Sequence, residues 1–243
     1  MILEIAVFNI HSAIQAALAG AHRIEVCENN TDGGTTASYG TLKTIKEKIQ
    51  IPVFPIVRPR GGDFLYTTEE FEVMKKDMLL IKQLGFEGAV TGLLKQDGSI
   101  DIERTAILVN MAYPLEITFH RAFDRCKNPL QSLENIIQCG CQRILTSGQQ
   151  LKAYNGKDLI KQLVIQADDR IIIMPGSGIR ADNIREVITY TGVAEIHSSA
   201  RVVKDSDMQY QVTDMFDANE QNCFVDINEI KQMKKITEAA NNL

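Results

Sequence analysis

The stretch RIIIMPGSGIRADNIREVITYTGVAEIHS, residues 170–198, decides the fold. It begins with a β-branched run at 170–175, passes through a glycine-rich turn into an amphipathic helical pattern at 180–192, and ends with a second β-branched run at 194–198. A helix that connects two such strands normally places them parallel in one sheet. How often this strand–helix–strand unit recurs along the chain therefore determines the fold class.

The same alternation extends back to the start of the chain. Six more strand-like runs bring the total to eight, at 2–8, 23–27, 53–57, 88–92, 115–120 and 143–147. Helix-length stretches separate them, for example at 12–20, 67–85 and 101–112. Eight alternations predict an α/β fold of the TIM (β/α)8 barrel type. The alternative is an open doubly wound sheet, but such sheets carry a glycine-rich fingerprint after the first strand, where this chain has FNIHSA.

Helix boundaries are marked by capping residues. Ser12, Thr67 and Asp101 stand where N-caps belong, and glycines stand where helices end. Only the polar segment 202–222 lacks a clear period, which predicts a long loop before a C-terminal helix at about 226–240. No linker or repeat divides the chain, so residues 1–243 are predicted to form a single domain.

Composition excludes several classes of protein. With 243 residues, 44% hydrophobic and a net charge of −5, the chain has a globular composition and lacks the basic excess of nucleic-acid-binding domains. It contains no apolar run of about 18 residues, so no membrane span is expected. The five cysteines are odd in number and scattered, which favours reduced thiols and a cytoplasmic protein.

Polar side chains gather at the predicted carboxyl ends of the strands, where barrels of this type carry their chemistry. Because alternate strand residues share a direction, four pairs are expected to point the same way: Glu25 with Cys27, Arg58 with Arg60, Thr118 with His120, and Glu195 with His197. Unpaired buried charges are costly, so a polar pocket explains this convergence better than a core does. The candidate acid–base residues are Glu25, His120, Glu195 and His197.

Two features predict that a small anionic ligand binds here. Arg58 and Arg60 of RPRGG either pair with Glu25 or Glu195 or hold a carboxylate or phosphate. The second feature is the loop after strand seven, which together with HSSAR after strand eight occupies the usual phosphate position of these barrels. Its candidate anion-binding residues are Gly176, Ser177, Gly178, Ser199 and Arg201. The alternative for the glycines is a tight turn.

A soft metal has one candidate ligand among the thiols. Cys27 stands at a strand end and could bind copper with His120, His197 or Met174, although free cysteine is more often a small buried apolar residue. The segment Cys139-Gly140-Cys141 resembles a metal-binding hairpin. Gly140 reads instead as the stop of the preceding helix, which puts this segment on the face opposite the site.

Four longer motifs match a known family. The chain resembles the CutC family of cytoplasmic copper-homeostasis proteins through RIEVC (23–27), RPRGGDF (58–64), TFHRAFD (118–124) and HSSAR (197–201). The resemblance spans about the first 200 residues. It implies a TIM barrel, an association with copper and a homodimer or higher homo-oligomer.

Three positions depart from the family pattern. Ala6 stands where family members often carry a cysteine on strand one, so the resemblance implies only one of two thiolates of a copper(I) site. Ala37 replaces a proline, and Ser177 replaces the middle glycine of a triplet. The main hypothesis is a copper-binding homeostasis protein of the cytoplasm. The alternatives are an enzyme acting on a small phosphorylated or carboxylated compound, and a scaffold that binds partners through its surface.

Overall fold

The computed structural model of the protein describes residues 1–210 and 221–240. The predicted barrel is confirmed: in the described residues, eight parallel strands alternate with eight α-helices. The strands are β1 (Ile2–Val7), β2 (Arg23–Val26), β3 (Val53–Pro55), β4 (Gly88–Thr91), β5 (Glu116–Phe119), β6 (Arg143–Thr146), β7 (Ile172–Pro175) and β8 (Glu195–Ser198). The helices are α1 (Ile10–Ala19), α2 (Tyr39–Lys48), α3 (Thr68–Gln83), α4 (Ile102–Ala112), α5 (Pro129–Gln138), α6 (Lys157–Ala167), α7 (Ile184–Thr191) and α8 (Ile227–Ala240).

The barrel wall consists of two parallel four-stranded sheets. Their strand orders are β3-β2-β1-β8 and β4-β5-β6-β7. At one seam, Ile56 bridges Val90 in parallel and the Val57 amide donates to the Val90 carbonyl at 2.7 Å. At the other seam, Gly176 follows β7 so close to β8 that an added Cβ would lie 3.0 Å from Cδ2 of His197. Glycine at this position therefore allows the two strand ends to approach.

Strand residues alternate between the helices and the barrel interior. Leu3, Ile5 and Val7 of β1 are buried in the same apolar cluster as Ala13 and Ala16 of α1. The intervening residues of the strands point inward. The apolar layer between strands and helices thus supplies most of the hydrophobic core. The barrel interior holds polar side chains together with a smaller apolar cluster of Cys27, Phe54, Ile56 and Val90.

An ion-pair network fills the barrel interior near the amino ends of the strands. Arg23 donates from Nε to Glu4 and from Nη2 to Glu195, and Arg143 donates from Nε to Glu195 at 2.7 Å. Both guanidinium groups stack on the ring of Phe54, at 4.9 and 5.3 Å from its centroid. All five side chains are buried. Because each charge has an opposite partner, the network offsets the cost of removing these ions from water.

Two local expectations differ from the structure. Asn9 rather than Ser12 caps α1, since its Oδ1 accepts from the Ser12 amide at 2.8 Å. The caps at Thr67 and Asp101 are confirmed. The polar segment is not a loop at its ends, because β9 (Arg201–Asp205) pairs antiparallel with β10 (Gln221–Val225); residues 211–220 lie outside the described residues. A search of the described helices finds none with the length and apolar character of a membrane span.

Candidate functional site

A cavity of about 260 Å³ opens at the carboxyl ends of the strands. It brings together most of the site residues that were predicted from the sequence: Glu25, Cys27, Arg58, His120, Ser177, Gly178, His197, Ser199 and Arg201. Three of the other lining residues, Asn30, Phe64 and Arg121, were not nominated. Arg121 directly follows His120 in TFHRAFD, so its place after β5 was the signal that could have identified it.

Three nominated residues do not line this cavity. Glu195 lies in the ion-pair network below it, where it pairs with Arg23 and Arg143. Arg60 lies on the outer surface and donates to Glu70 at 2.5 Å. Gly176 lies at the seam between β7 and β8, as described above. Alternation along β8 predicted the direction of Glu195 but not its depth, and it does not apply to Arg60 and Gly176, which follow their strands in loops.

Arg58 ties together the two glycine-containing loops after β2 and β3. Its Nη1 donates to the carbonyls of Asp32 and Gly34, both at 2.7 Å, and its Nη2 donates to the carbonyl of Gly62 at 3.0 Å. The guanidinium group also lies over the ring of Phe64 at 5.0 Å. Pairing of Arg58 with Glu25 or Glu195, which was one expectation, is therefore wrong. The side chain shapes the loops and places a positive charge at the cavity.

Glu25 is a buried carboxyl group at the bottom of the cavity. Only 5% of its surface is exposed, and Nε2 of His197 lies 3.7 Å from its Oε2. Burial raises the pKa of Glu25 to about 7, although the nearby imidazole of His197 acts in the opposite direction. A carboxyl group that titrates near neutral pH can both give and accept a proton under cellular conditions.

His197 connects Glu25 to the ion-pair network. Its Nδ1 lies 2.8 Å from Oε1 of Glu4. Burial opposes the charged form of Glu4, but Arg23 and His197 together lower the pKa of this carboxyl to about 2. The ionised Glu4 therefore accepts a hydrogen bond from Nδ1–H of His197. Burial likewise opposes the charged imidazole, and yet the contacts with Glu4 and Glu25 raise the pKa of His197.

Cys27 lines the cavity as a neutral thiol. Burial, with the adjacent Glu25 carboxyl and Glu4, raises the pKa of Cys27 well above its usual value. Metal binding would therefore require the loss of a strongly held proton.

The side chains around Cys27 do not fit a copper site. No cluster of three or more His, Cys, Asp or Glu side chains that could hold a metal occurs among residues 1–210 and 221–240. Both ring nitrogens of His197 face carboxylates, and the sulfur of Met174 accepts from Nη2 of Arg23 at 3.3 Å. Ala6 lines the same cavity and supplies no second sulfur. Cys139 and Cys141 are buried away from this cavity, as expected.

His120 lies in the cavity wall and is 4% exposed. Its Nδ1 accepts a hydrogen bond from the Ala122 amide at 3.2 Å. Burial and the positive charge of Arg58 lower the pKa of His120 to about 3, so the ring is neutral at physiological pH. The ring packs against Phe64, with centroids 4.9 Å apart.

The mouth of the cavity carries hydroxyl and guanidinium groups. Arg201 is exposed and donates to Oδ1 of Asn30 at 2.7 Å, and Arg121 donates from Nε to Asp124 at 2.8 Å. The Ser177 hydroxyl donates to the Leu151 carbonyl at 2.7 Å. Helix α7 begins at Ile184 instead of about 180, so the loop itself, rather than the first turn of the helix, lines the cavity.

Comparisons with known proteins agree with the fold and the motifs. A sequence model of the CutC family matches residues 1–202. The copper homeostasis protein cutC homolog of Mus musculus is 46% identical over 210 residues, which cover 86% of this chain and 77% of the mouse protein. The family protein CutC of Salmonella paratyphi A is also 46% identical, with 86% of this chain and 84% of that protein covered.

Solved structures give the same result. A crystal structure of the protein named CutC from Streptococcus agalactiae is 32% identical, with a TM-score of 0.78 and coverage of 82% of this chain and 98% of that one. Phosphoribosylanthranilate isomerase from Thermotoga maritima has a TM-score of 0.60 at 12% identity and covers 98% of this chain and 100% of its own, which shows a shared fold alone. The family predicted from the motifs is confirmed, and the chain belongs to the CutC family.

Proposed function

We propose that the cavity binds a small phosphorylated or carboxylated compound and that Glu25 transfers a proton to or from it. The observation that carries this proposal is a buried carboxyl group with a pKa of about 7 in a cavity whose lining includes Arg58, Arg121 and Arg201. Perturbed titratable groups in a cleft are typical of acid–base sites.

The anionic group would lie at the mouth of the cavity. Arg121 and Arg201 supply charge there, and Ser199 supplies a hydroxyl group, whereas the Ser177 hydroxyl donates its proton to the Leu151 carbonyl. A guanidinium group can offer two parallel N–H donors to a phosphate or carboxylate. Binding at this position would leave the rest of a small ligand pointing toward Glu25.

His197 and Glu4 would act as positioning residues for Glu25. The ionised Glu4 holds the ring by Nδ1, so Nε2 faces the Glu25 carboxyl. A change in the protonation of either partner alters the charge next to the other. The pair would thereby keep the pKa of Glu25 near neutral pH, so that both protonation states of its carboxyl group are populated.

A thermal-shift screen with phosphosugars and small carboxylic acids tests this function. We expect at least one phosphorylated or carboxylated compound to stabilise the wild type, and Arg121→Ala to reduce that stabilisation. Arg60→Ala is the matched control, because Arg60 is a nearby, partly exposed arginine outside the cavity. A flat response across the panel, or an equal loss in both variants, would contradict the proposal.

A second proposed function is copper homeostasis in the cytoplasm. Its support is the name of the mouse and Salmonella relatives and the Cys27 thiol in the cavity. Because Cys27 has no second sulfur beside it, we expect it to hold copper(I) only weakly. Titration of copper(I) against a competing chelator tests this, and equal affinities for the wild type and Cys27→Ala would remove the named ligand.

A homodimer also stays a prediction, to be tested by light scattering.

A further inference from the structure

The hydrogen bond at Nδ1 fixes the tautomer of His120. An amide N–H of Ala122 points at Nδ1, so this nitrogen must carry a lone pair. In a neutral imidazole the proton then resides on Nε2. His120 is therefore an obligate hydrogen-bond donor through Nε2, independently of its titration.

That donor is buried without a partner. Among residues 1–210 and 221–240, no hydrogen-bond acceptor lies within reach of the Nε2 atom of His120. Buried donors are almost always paired in native proteins, because an unpaired one loses its hydrogen bond to water. Four other buried polar side-chain atoms of the described residues also lack a hydrogen-bond partner, but none is a comparable donor in the cavity. Ser12, Tyr66 and Thr105 do not line the cavity, and Arg58 already uses both its Nη atoms.

The position of His120 relates it to Glu25. Both side chains line the same cavity of about 260 Å³, which also takes in Arg121, Arg201 and Ser177 at its mouth. A ligand held by its phosphate at the mouth would thus have a proton acceptor and a neutral N–H donor within one small enclosure. A base and a donor to oxygen are the two groups that proton removal next to a carbonyl requires.

We propose that Nε2–H of His120 binds the carbonyl oxygen of a small phosphorylated carbonyl compound, which Glu25 then enolises. This assignment rests on the proposed function and narrows its substrate class. A neutral imidazole suits the task, because it donates a hydrogen bond without giving up its proton.

The step is balanced within the site. The Glu25 carboxylate removes a proton from the carbon next to the carbonyl, and the electron pair of the broken C–H bond forms a carbon–carbon double bond. The carbonyl π electrons move to oxygen, where Nε2–H of His120 stabilises the new negative charge. Return of the proton from Glu25 to carbon regenerates the carbonyl, so no oxidant or other reactant is consumed.

Two probes with the same phosphate test the role of His120. Ethyl phosphate carries no carbonyl, and 2-phosphoglycolohydroxamate mimics the enolate. We expect the wild type to bind the hydroxamate at least about tenfold more tightly, the usual gain from a hydrogen bond to a charged group. His120→Asn retains an acceptor for the Ala122 amide but loses the outer donor, so it should bind both probes equally. His120→Gln, which can place an amide N–H near the same point, should restore part of the preference.

A spectroscopic readout on the wild type keeps the test independent of how the variants fold. The 15N resonance of Nε2 in His120 should shift with the hydroxamate and stay unchanged with ethyl phosphate. If ethyl phosphate binds but the hydroxamate gains nothing, or if His120→Asn keeps the preference, the role of His120 is overturned and the anion site stands. If neither probe binds, the phosphate form of the proposed function fails and this inference fails with it.

Discussion

The Nε2 atom of His197 lies 3.7 Å from the Oε2 atom of Glu25, while Nδ1 of the same ring is held by Glu4. The imidazole therefore lies between a carboxyl group that stays ionised and one that titrates near pH 7. Burial raises the pKa of Glu25 and opposes charge on His197, whereas their mutual attraction favours charge on both. The proton balance of this pair is the feature that gives the site its acid–base character.

Replacing Glu25 with Gln should change how stability depends on pH. The folded-state pKa of about 7 lies above the usual 4.5, so the unfolded chain loses its proton first as the pH rises. The wild type should then lose stability relative to Glu25→Gln between about pH 5 and 8, by up to about 3 kcal/mol. Urea unfolding at several pH values measures this. Glu47→Gln on the surface of α2 is the control, and a pH-independent difference for Glu25→Gln would refute the expectation.

Replacing Glu195 with Gln should destabilise the barrel without abolishing phosphate binding in the cavity. The change leaves Arg23 and Arg143 buried without their shared carboxylate, and breaking such a pair costs about 3 kcal/mol or more. Phosphate binding should persist, because Glu195 does not line the cavity. Chemical denaturation and phosphate titration measure the two effects. Glu186→Gln, which removes an exposed partner of Lys157, should have a much smaller effect on stability. Loss of phosphate binding by folded Glu195→Gln would show that Glu195 belongs to the site.

Replacing Arg58 with Lys should weaken the loops around the cavity. A lysine keeps the charge but lacks the fork that reaches the carbonyls of Asp32, Gly34 and Gly62. We expect a loss of about 2 kcal/mol in the free energy of unfolding, since carbonyls that are part-buried lose their donors. Arg60→Lys is the matched comparison, and solvent reaches its partners. Equal losses in the two variants would indicate that the carbonyl contacts of Arg58 contribute little.

Much of this site could be predicted from alternation along the strands. Glu25, Cys27, His120 and His197 were expected to point inward at the carboxyl ends of their strands, and the structure places all four in one cavity. The fold followed from the repeated strand–helix pattern for the same reason. Both predictions depend only on patterns that can be read locally in the sequence, the alternation of residues within a strand and the succession of strands and helices.

Depth inside the barrel could not be predicted in this way. Glu195 and His197 share a direction but lie about 7 Å apart along β8, so one meets Arg143 below the cavity and the other meets Glu25 in it. Which strand residues stand at the same level depends on the stagger between strands, which alternation does not encode. Arg60 was misplaced because it follows the strand in a loop, where alternation no longer applies.

The most direct test of the acid–base site is a 13C NMR titration of the Glu25 side-chain carboxyl. Its resonance is identified as the one that is missing from the spectrum of Glu25→Gln. We predict a midpoint near pH 7 for the free protein. Millimolar phosphate should move the midpoint upward, because an anion in the same cavity disfavours the carboxylate. A midpoint below pH 5 that phosphate leaves unchanged would contradict both the buried proton and the shared cavity.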